Sequence, residues 1–468
     1  MAYVFYDTET TGTETAFDQI LQFAAIRTDD DLNELDRFEI RCRLLPYVVP
    51  APGALRVTGV TVAQLTDPAL PSHYAMVQAI RARLLAWSPA VFIGYNSIRF
   101  DEPLLRQAFY QTLHPPYLTS QHDNGRQDAL GLVQSASLLA PGKVEIPTGS
   151  NGKPSFKLDL VAPANGFAHD HAHDALADVE ATIYLCRRVR TLAPELWPGF
   201  ERFSRKAEVI AYLRHAPAVG LVEFYFGRPS AWPVTLLRED IGDGAALVAD
   251  LSQDIERLGD LDDAALTKAL AAQRGPLRRV RPGNAPLLLT LDALIGAGLV
   301  DPERGREAAS RAERLQGDTA LCEGLLAAFA AGVEPYPPAE HVEQKIYEGF
   351  PGWEDGDRMR EFHDAPWESR AAIARTIEDA RYRTLAERLL FVERPDLLDP
   401  ARRVAIEHAI AVRLLGLSGE VPWRTIPQAV QECEALLGED TGDGREIVID
   451  YRDWLVRREV ELGRLVPG

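Results

Sequence analysis

The chain has 468 residues, 46% of them hydrophobic and 25% charged, with a formal net charge of −19. This is a globular composition with room for about two to four domains, and it excludes the disordered and fibrous classes. No window approaches the ~18 uninterrupted apolar residues of a membrane span. The N-terminus lacks a basic leader, and Cys42, Cys186, Cys322 and Cys433 show no paired spacing of a disulfide or zinc-ribbon kind. A soluble cytoplasmic protein with no membrane partner is therefore expected. The net charge is −5 over residues 1–193 and −14 over residues 194–468. Sequence-independent affinity for nucleic acid comes from Lys and Arg neutralising phosphates, and so acidic a chain is therefore a poor general polyanion binder. Any nucleic-acid function must rest on a local basic track or on bound metal ions.

In chain order, Tyr3-Val4-Phe5-Tyr6 reads as a short strand ending at Asp7. Ile20–Arg27 and Phe38–Leu44 follow as hairpin partners, separated by the acidic turn Asp29-Asp30-Asp31. Met76–Trp87 has helical periodicity, Val91–Tyr95 reads as a buried strand, and Phe100–Leu113 as a further helix. Strands followed by helices imply an α/β layer. Past Ala193-Pro194 the texture changes. Short apolar runs such as Leu221–Tyr225, Ala246–Asp250 and Pro286–Thr290 predict a small β-rich barrel with helical insertions. The cluster Pro335-Tyr336-Pro337-Pro338 marks a second boundary, and Arg370–Phe391 and Ala401–Leu415 beyond it are helical in period.

Three groups of residues carry chemistry. In Asp7-Thr8-Glu9, positions i and i+2 of a strand point to one face, so the two carboxylates project together. They repel unless a proton or a cation sits between them, and hard divalent metals take oxygen ligands of this kind. Asp101 follows a strand and opens a helix, where the helix dipole alone would also favour a carboxylate. The third group is His169-Asp170-His171-Ala172-His173-Asp174-Ala175-Leu176-Ala177-Asp178. Asp174 and Asp178 share a helix face. His173 and Asp178 lie about 140° apart around a helix, so they converge only if His173 stands at its entrance. A zinc site from His169, His171 and His173 is the competing reading, although no fourth ligand has suitable spacing.

The order Asp-x-Glu, Asp101, then His-x4-Asp resembles the DEDDh exonuclease superfamily. Phe5-Tyr6-Asp7-x-Glu9-Thr10-x-Gly12, Gln22–Thr28, Thr58-Gly59-Val60-Thr61, Gly94-Tyr95-Asn96, Gln121-His122-Asp123-Asn124, Pro154–Leu158 and Ala164-Asn165-Gly166 resemble the bacterial exodeoxyribonuclease I family. The resemblance is weaker through the middle and resumes at Glu334-Pro335-Tyr336 and Ile346–Phe350. It implies an RNase H-like α/β catalytic domain over residues 1–193, an SH3-like β-rich domain over 194–338 and an α-helical C-terminal domain over 339–468. The implied activity is processive 3′–5′ degradation of single-stranded DNA to 5′-mononucleotides in DNA repair. A monomer is implied, with single-strand DNA-binding protein as a further partner.

By the same resemblance the cofactor is Mg²⁺ in a two-metal site, with Mn²⁺ as a substitute. Asp7, Glu9 and Asp178 are the expected ligands, and Asp101 holds a second metal directly or through water. His173 is the expected general base, since histidine titrates near neutrality. Glu9, Lys157, Arg106, Tyr117, Lys206, Arg278 and Tyr347 match substrate-contacting positions. After Tyr117 the segment Leu118-Thr119-Ser120 is one residue shorter than the family pattern and lacks its tryptophans. Two other readings compete: a DEDDh exoribonuclease or proofreading-type exonuclease, and a catalytically inactive single-strand DNA clamp. A clamp needs none of Asp7, Glu9, Asp101, His173 and Asp178.

Overall fold

Strand β1 (Tyr3–Thr10) is the centre of a five-stranded sheet ordered β3-β2-β1-β4-β5, with β2 at Ile20–Thr28, β3 at Glu34–Arg41, β4 at Val91–Gly94 and β5 at Gly125–Asp128. The computed structural model describes residues 2–466 apart from 169–172, 271–274, 335–336, 440–441, 443 and the side chain of Asp263. His169 and His171 of the zinc reading, and Pro335-Tyr336 of the second boundary, lie outside the described residues. β1 pairs antiparallel with β2 and parallel with β4, and β4 pairs parallel with β5. The period of two sorts its side chains. Tyr3 and Phe5 pack on the helices Ala129–Leu139 and Ala175–Leu192, while Val4 and Tyr6 pack on His73–Trp87 and Asp101–Gln111. Helices thus cover both faces, the α/β layering expected.

β1 does not end at Asp7. Its ladder with β2 continues to Thr10↔Ile20, whereas β4 pairs only with Tyr3–Phe5. One edge of β1 is therefore open from Asp7 onward, at the carboxyl end where α/β sheets place ligands.

A second sheet is antiparallel throughout, ordered β10-β6-β7-β8-β9, with β6 at Val219–Tyr225, β7 at Arg228–Arg238, β8 at Ala246–Asp250, β9 at Leu277–Val280 and β10 at Leu287–Leu289. The apolar runs at 221, 246 and 286 fall on β6, β8 and β10. Among the described residues no ladder joins β9 to β10, so the sheet is open rather than a closed barrel. Leu315 and Leu325, from the helices Pro302–Gly317 and Thr319–Ala331, pack with Ala249 of β8.

The remaining chain is helical. The single helix expected over Arg370–Phe391 is two, Trp367–Thr376 and Ala380–Glu393. The break is built by Asp355, whose carboxylate accepts from the Glu378 and Asp379 amides at 2.9 and 2.7 Å. These helices pack back onto the first layer. Leu414, Ile426 and Tyr451 share a cluster with Leu55 and Leu65, and the Tyr451 hydroxyl donates to the Pro50 carbonyl at 2.8 Å. Burying such large apolar side chains stabilises by roughly 1.5–3 kcal/mol each. The segment Val342–Tyr347 lies along the helix Asp101–Gln111. There the Gln107 amide donates to the Glu343 carbonyl at 3.0 Å, and the Tyr110 hydroxyl to that of Val342 at 2.8 Å. No described helix is long and apolar enough to cross a membrane.

A stacked pair of imidazoles joins the two layers. His114 lies 3.9 Å from His363, ring over ring. His363 accepts from the Tyr74 hydroxyl and donates to the Leu113 carbonyl, which fixes it as a neutral tautomer. Burial pushes His114 down to about 2 and His363 to about 4 from the ordinary 6.5. The unfolded chain therefore binds more protons as pH falls below about 6.5, and stability drops with it. Replacing His114 by Phe, a similar ring that cannot be protonated, should leave a protein whose stability advantage over wild type grows as pH falls. By pH 5 the gain should reach about 2 kcal/mol in urea unfolding. A gap independent of pH would remove His114 from this role.

Candidate active site

Asp7 and Glu9 continue the face of β1 begun by Tyr3 and Phe5, the face on which the helix Ala175–Leu192 packs. That geometry delivers Asp178, one turn into the helix, to the two strand carboxylates. One oxygen from each of Asp7, Glu9 and Asp178 lies within 4.8 Å of the others. Burial first, then the neighbouring carboxylates Asp101, Asp178 and Glu9, holds Asp7 well above the usual carboxylate range. Burial and the charges of Asp178, Asp101 and Asp174 push Glu9 up to about 9, against the pull of Arg41. Three such oxygens cannot all ionise at neutral pH without a cation. They are also the hard donors that a divalent metal takes, so the donor set fits one.

Asp101 stands next to this trio and outside it. Its Oδ1 accepts from the Thr8 amide at 3.1 Å and from the Thr8 hydroxyl at 2.5 Å, which leaves the other oxygen for a second role. Burial raises its pKa to about 7, with the Thr8 hydroxyl bond opposing. Asp174 caps the helix Ala175–Leu192 and pairs with Arg41 at 2.6 Å. His173 precedes it with left-handed backbone, φ 69°. This is the helix entrance that the spacing required. His173 and Asp178 line one cleft of ≈ 630 Å³, together with Asn96, Phe156 and Lys157.

The expected cations divide into two kinds. Arg106 is only 17% exposed and pairs with the buried Glu102 at 3.0 Å. Glu102 also accepts from Arg126, Thr119 and Tyr6. Arg278 is 22% exposed, pairs with Asp250 at 3.2 Å and stacks 3.7 Å from the Trp232 ring. Both charges are largely spent within the protein. Lys206 is half exposed and 3.7 Å from Asp240, while Lys157 makes no ion pair among the described residues. Tyr347 is 64% exposed. Tyr117 lies beneath the Arg106 guanidinium and 5.7 Å from the Phe350 ring. Phe350 is thus an aromatic partner that the shortened 118–120 segment did not reveal.

Sequence reasoning also missed Asp128. Its carboxylate accepts from the amides of Asn96 and Ile98 and caps the helix Ala129–Leu139 through Leu130. It thereby holds the Asn96 turn (φ 61°) in the cleft. An aspartate before an apolar helical run was the available signal.

The fold and sequence are similar to those of known nucleases. Residues 4–186 fit the RNase_T exonuclease family model. Exodeoxyribonuclease I of Escherichia coli is 31% identical over 376 residues, covering 76% of this chain and 77% of that protein. The chain belongs to the exodeoxyribonuclease I family. The crystal structure of E. coli exonuclease I with a dA16 oligonucleotide superposes with a TM-score of 0.84 at 25% identity, over 98% of this chain and 99% of that one. A zinc-bound complex of the same enzyme with single-stranded DNA gives 0.82 at 26% identity, over 99% of each chain. Membership extends to the helical C-terminal region, because the structural match runs nearly the whole length.

Proposed function

We infer that this chain removes 5′-mononucleotides from the 3′ end of single-stranded DNA by divalent-metal-dependent hydrolysis. The observation that carries the reading is the meeting of Asp7, Glu9 and Asp178 within 4.8 Å, with Asp178 on the wall of a cleft that also holds His173. Asp7, Glu9 and Asp178 would hold the cation, with Mg²⁺ the proposed ion and Mn²⁺ its substitute, and Asp101 would add a second position. Bound there, divalent cations lower the pKa of water and stabilise charge on the phosphate and the leaving oxygen. The chain's own side chains do the rest. His173 takes the proton of the attacking water. Lys157 offsets a phosphate beside the cleft. Tyr117 and Tyr347 offer ring faces to bases further along the strand, a contact that tolerates any sequence.

We propose three domains with the boundaries expected above, 1–193, 194–338 and 339–468, the middle one SH3-like. The antiparallel sheet of β6–β10 supports the middle assignment.

The test is degradation of end-labelled single-stranded DNA, duplex DNA and RNA with Mg²⁺ and with chelator. A ladder shortening from the 3′ end of single-stranded DNA alone is expected, abolished by chelation. Faster loss of RNA would favour the exoribonuclease reading, and tight binding without cleavage would favour the clamp. Because Arg106 and Arg278 are already paired, few cations remain for phosphates. Affinity for single-stranded DNA should then fall with salt at a log–log slope of about −2, from about three phosphates at −0.7 each. A slope steeper than about −4 would mean binding through an extended basic surface instead.

A further inference from the structure

One wall of the cleft beside His173 and Asp178 comes from the second sheet. β6 and β7 pair as far as Tyr225↔Arg228, and the two residues between them, Phe226 and Gly227, are both left-handed, with φ 51° and 76°. This is the backbone of a tight primed hairpin turn. Glycine adopts it freely, while a bulky aromatic there is unusual. Phe226 is nonetheless held in it, 84% exposed, with the Lys153 ammonium 5.2 Å from its ring. Gly227 approaches the facing loop so closely that a Cβ would lie 2.2 Å from the Pro154 carbonyl oxygen. Phe224 meets Phe156 edge to face at 5.4 Å.

The loop held in this way is the one that ends at Lys157. From the other side the Tyr95 hydroxyl, just past β4, donates to the Phe156 carbonyl at 2.6 Å. Within the loop, the Gly149 amide bonds to the Lys153 carbonyl and the Ser155 amide to that of Pro147, both at 2.8 Å. The loop is thus clamped between the catalytic sheet and the hairpin tip, with Lys157 at its exit on the cleft. Phe226 is left exposed at this interface, and its neighbours Phe224 and Gly227 line the cleft.

We propose that the 224–227 end of this hairpin is a substrate-positioning element: by bearing on Pro154 and Phe156 it fixes Lys157 against the phosphate nearest the 3′ end. The proposal rests on the nuclease reading above. It acts through Lys157, so it concerns the terminal nucleotides and not the distal grip at Tyr347.

The test uses the full chain with Mg²⁺ and two single-stranded substrates, one too short to reach Tyr347 and one long. Gly227→Ala should raise KM on the short substrate about tenfold and on the long one only about twofold, with kcat within about threefold on both. Phe224→Ala removes the ring contact without straining the turn and should show the same split, so the result stands even if Gly227→Ala fails to fold. In a Lys157→Ala background, Gly227→Ala should add less than about twofold, because both act on one contact. Unchanged KM on the short substrate in both variants would overturn the proposal. So would full additivity with Lys157→Ala, or an equal loss of kcat on both substrates with KM intact. An inert wild type would overturn the nuclease reading and this proposal with it.

Discussion

Asp7→Asn should abolish hydrolysis, by at least about 10³-fold at saturating Mg²⁺, while raising the melting temperature of the metal-free protein. The two effects have one origin. Asp7 sits among Glu9, Asp178 and Asp101 in a buried cluster that holds its pKa well above the ordinary carboxylate value, and Glu9 rises to about 9 from 4.5. Between those two values the folded chain keeps protons that the unfolded chain gives up. Metal-free stability should therefore fall as pH rises from about 4.5 toward 9. A divalent cation replaces the proton and reverses the loss, so Mg²⁺ should stabilise wild type more at pH 8 than at pH 6. The neutral amide of Asp7→Asn relieves the repulsion and removes a ligand at once. Thermal melts across pH 6–9, with and without Mg²⁺, check the first part, and nucleotide release checks the second. Activity retained by purified Asp7→Asn would remove Asp7 from the metal set, and a lowered metal-free melting temperature would refute the electrostatic account.

His173→Asn should lower turnover by roughly 10²–10⁴-fold, the range for loss of a general base. Asparagine is chosen because His173 has φ 69°, a backbone that asparagine tolerates well. The helix entrance then keeps its shape and Asp174 keeps its cap. Binding of single-stranded DNA and stabilisation by Mg²⁺ should be unchanged, since Asp7, Glu9 and Asp178 remain. Raising the pH should recover part of the rate by supplying hydroxide. Unaltered turnover at pH 7 would make His173 a structural residue of the helix entrance.

What could be read before folding was whatever depends on short spacing. The period of a strand puts Asp7 beside Glu9, and the turn of a helix puts Asp178 behind Asp174. The first relation survives in the structure, whereas Asp174 stands before the helix as its cap rather than on its face. The end of β1 was misjudged because pairing with β2, not local composition, carries the strand on to Thr10. Arg106 and Arg278 match substrate-contacting positions, yet both are paired within the protein. The Glu102–Arg106 pair at i,i+4 was legible on a helix, but Asp250 reaches Arg278 only because β8 and β9 lie side by side. The stacking of His114 on His363 and the approach of Gly227 to Pro154 join distant parts of the chain. Nothing local in the sequence announces either.

The seating of Val342–Tyr347 along the helix that Asp101 opens sets a fixed gauge. Eleven residues at 1.5 Å each make this strut about 16 Å long, with Asp101, the proposed second metal position, at its start and the Val342–Tyr347 segment bonded along its side. Arg381 locks the far end, donating to the Lys345 carbonyl at 2.9 Å and the Gly349 carbonyl at 3.2 Å. In the proposed function, the site that cuts and the ring that holds the strand are therefore tied to one helix. In that reading each cut would leave the new terminus one nucleotide short, and the strand would make up the stride by slipping past the ring of Tyr347. Adhesion at that ring would then also be friction. A stickier face would lengthen the stay on each strand and slow every step, so stamina and speed would trade against each other at a single side chain.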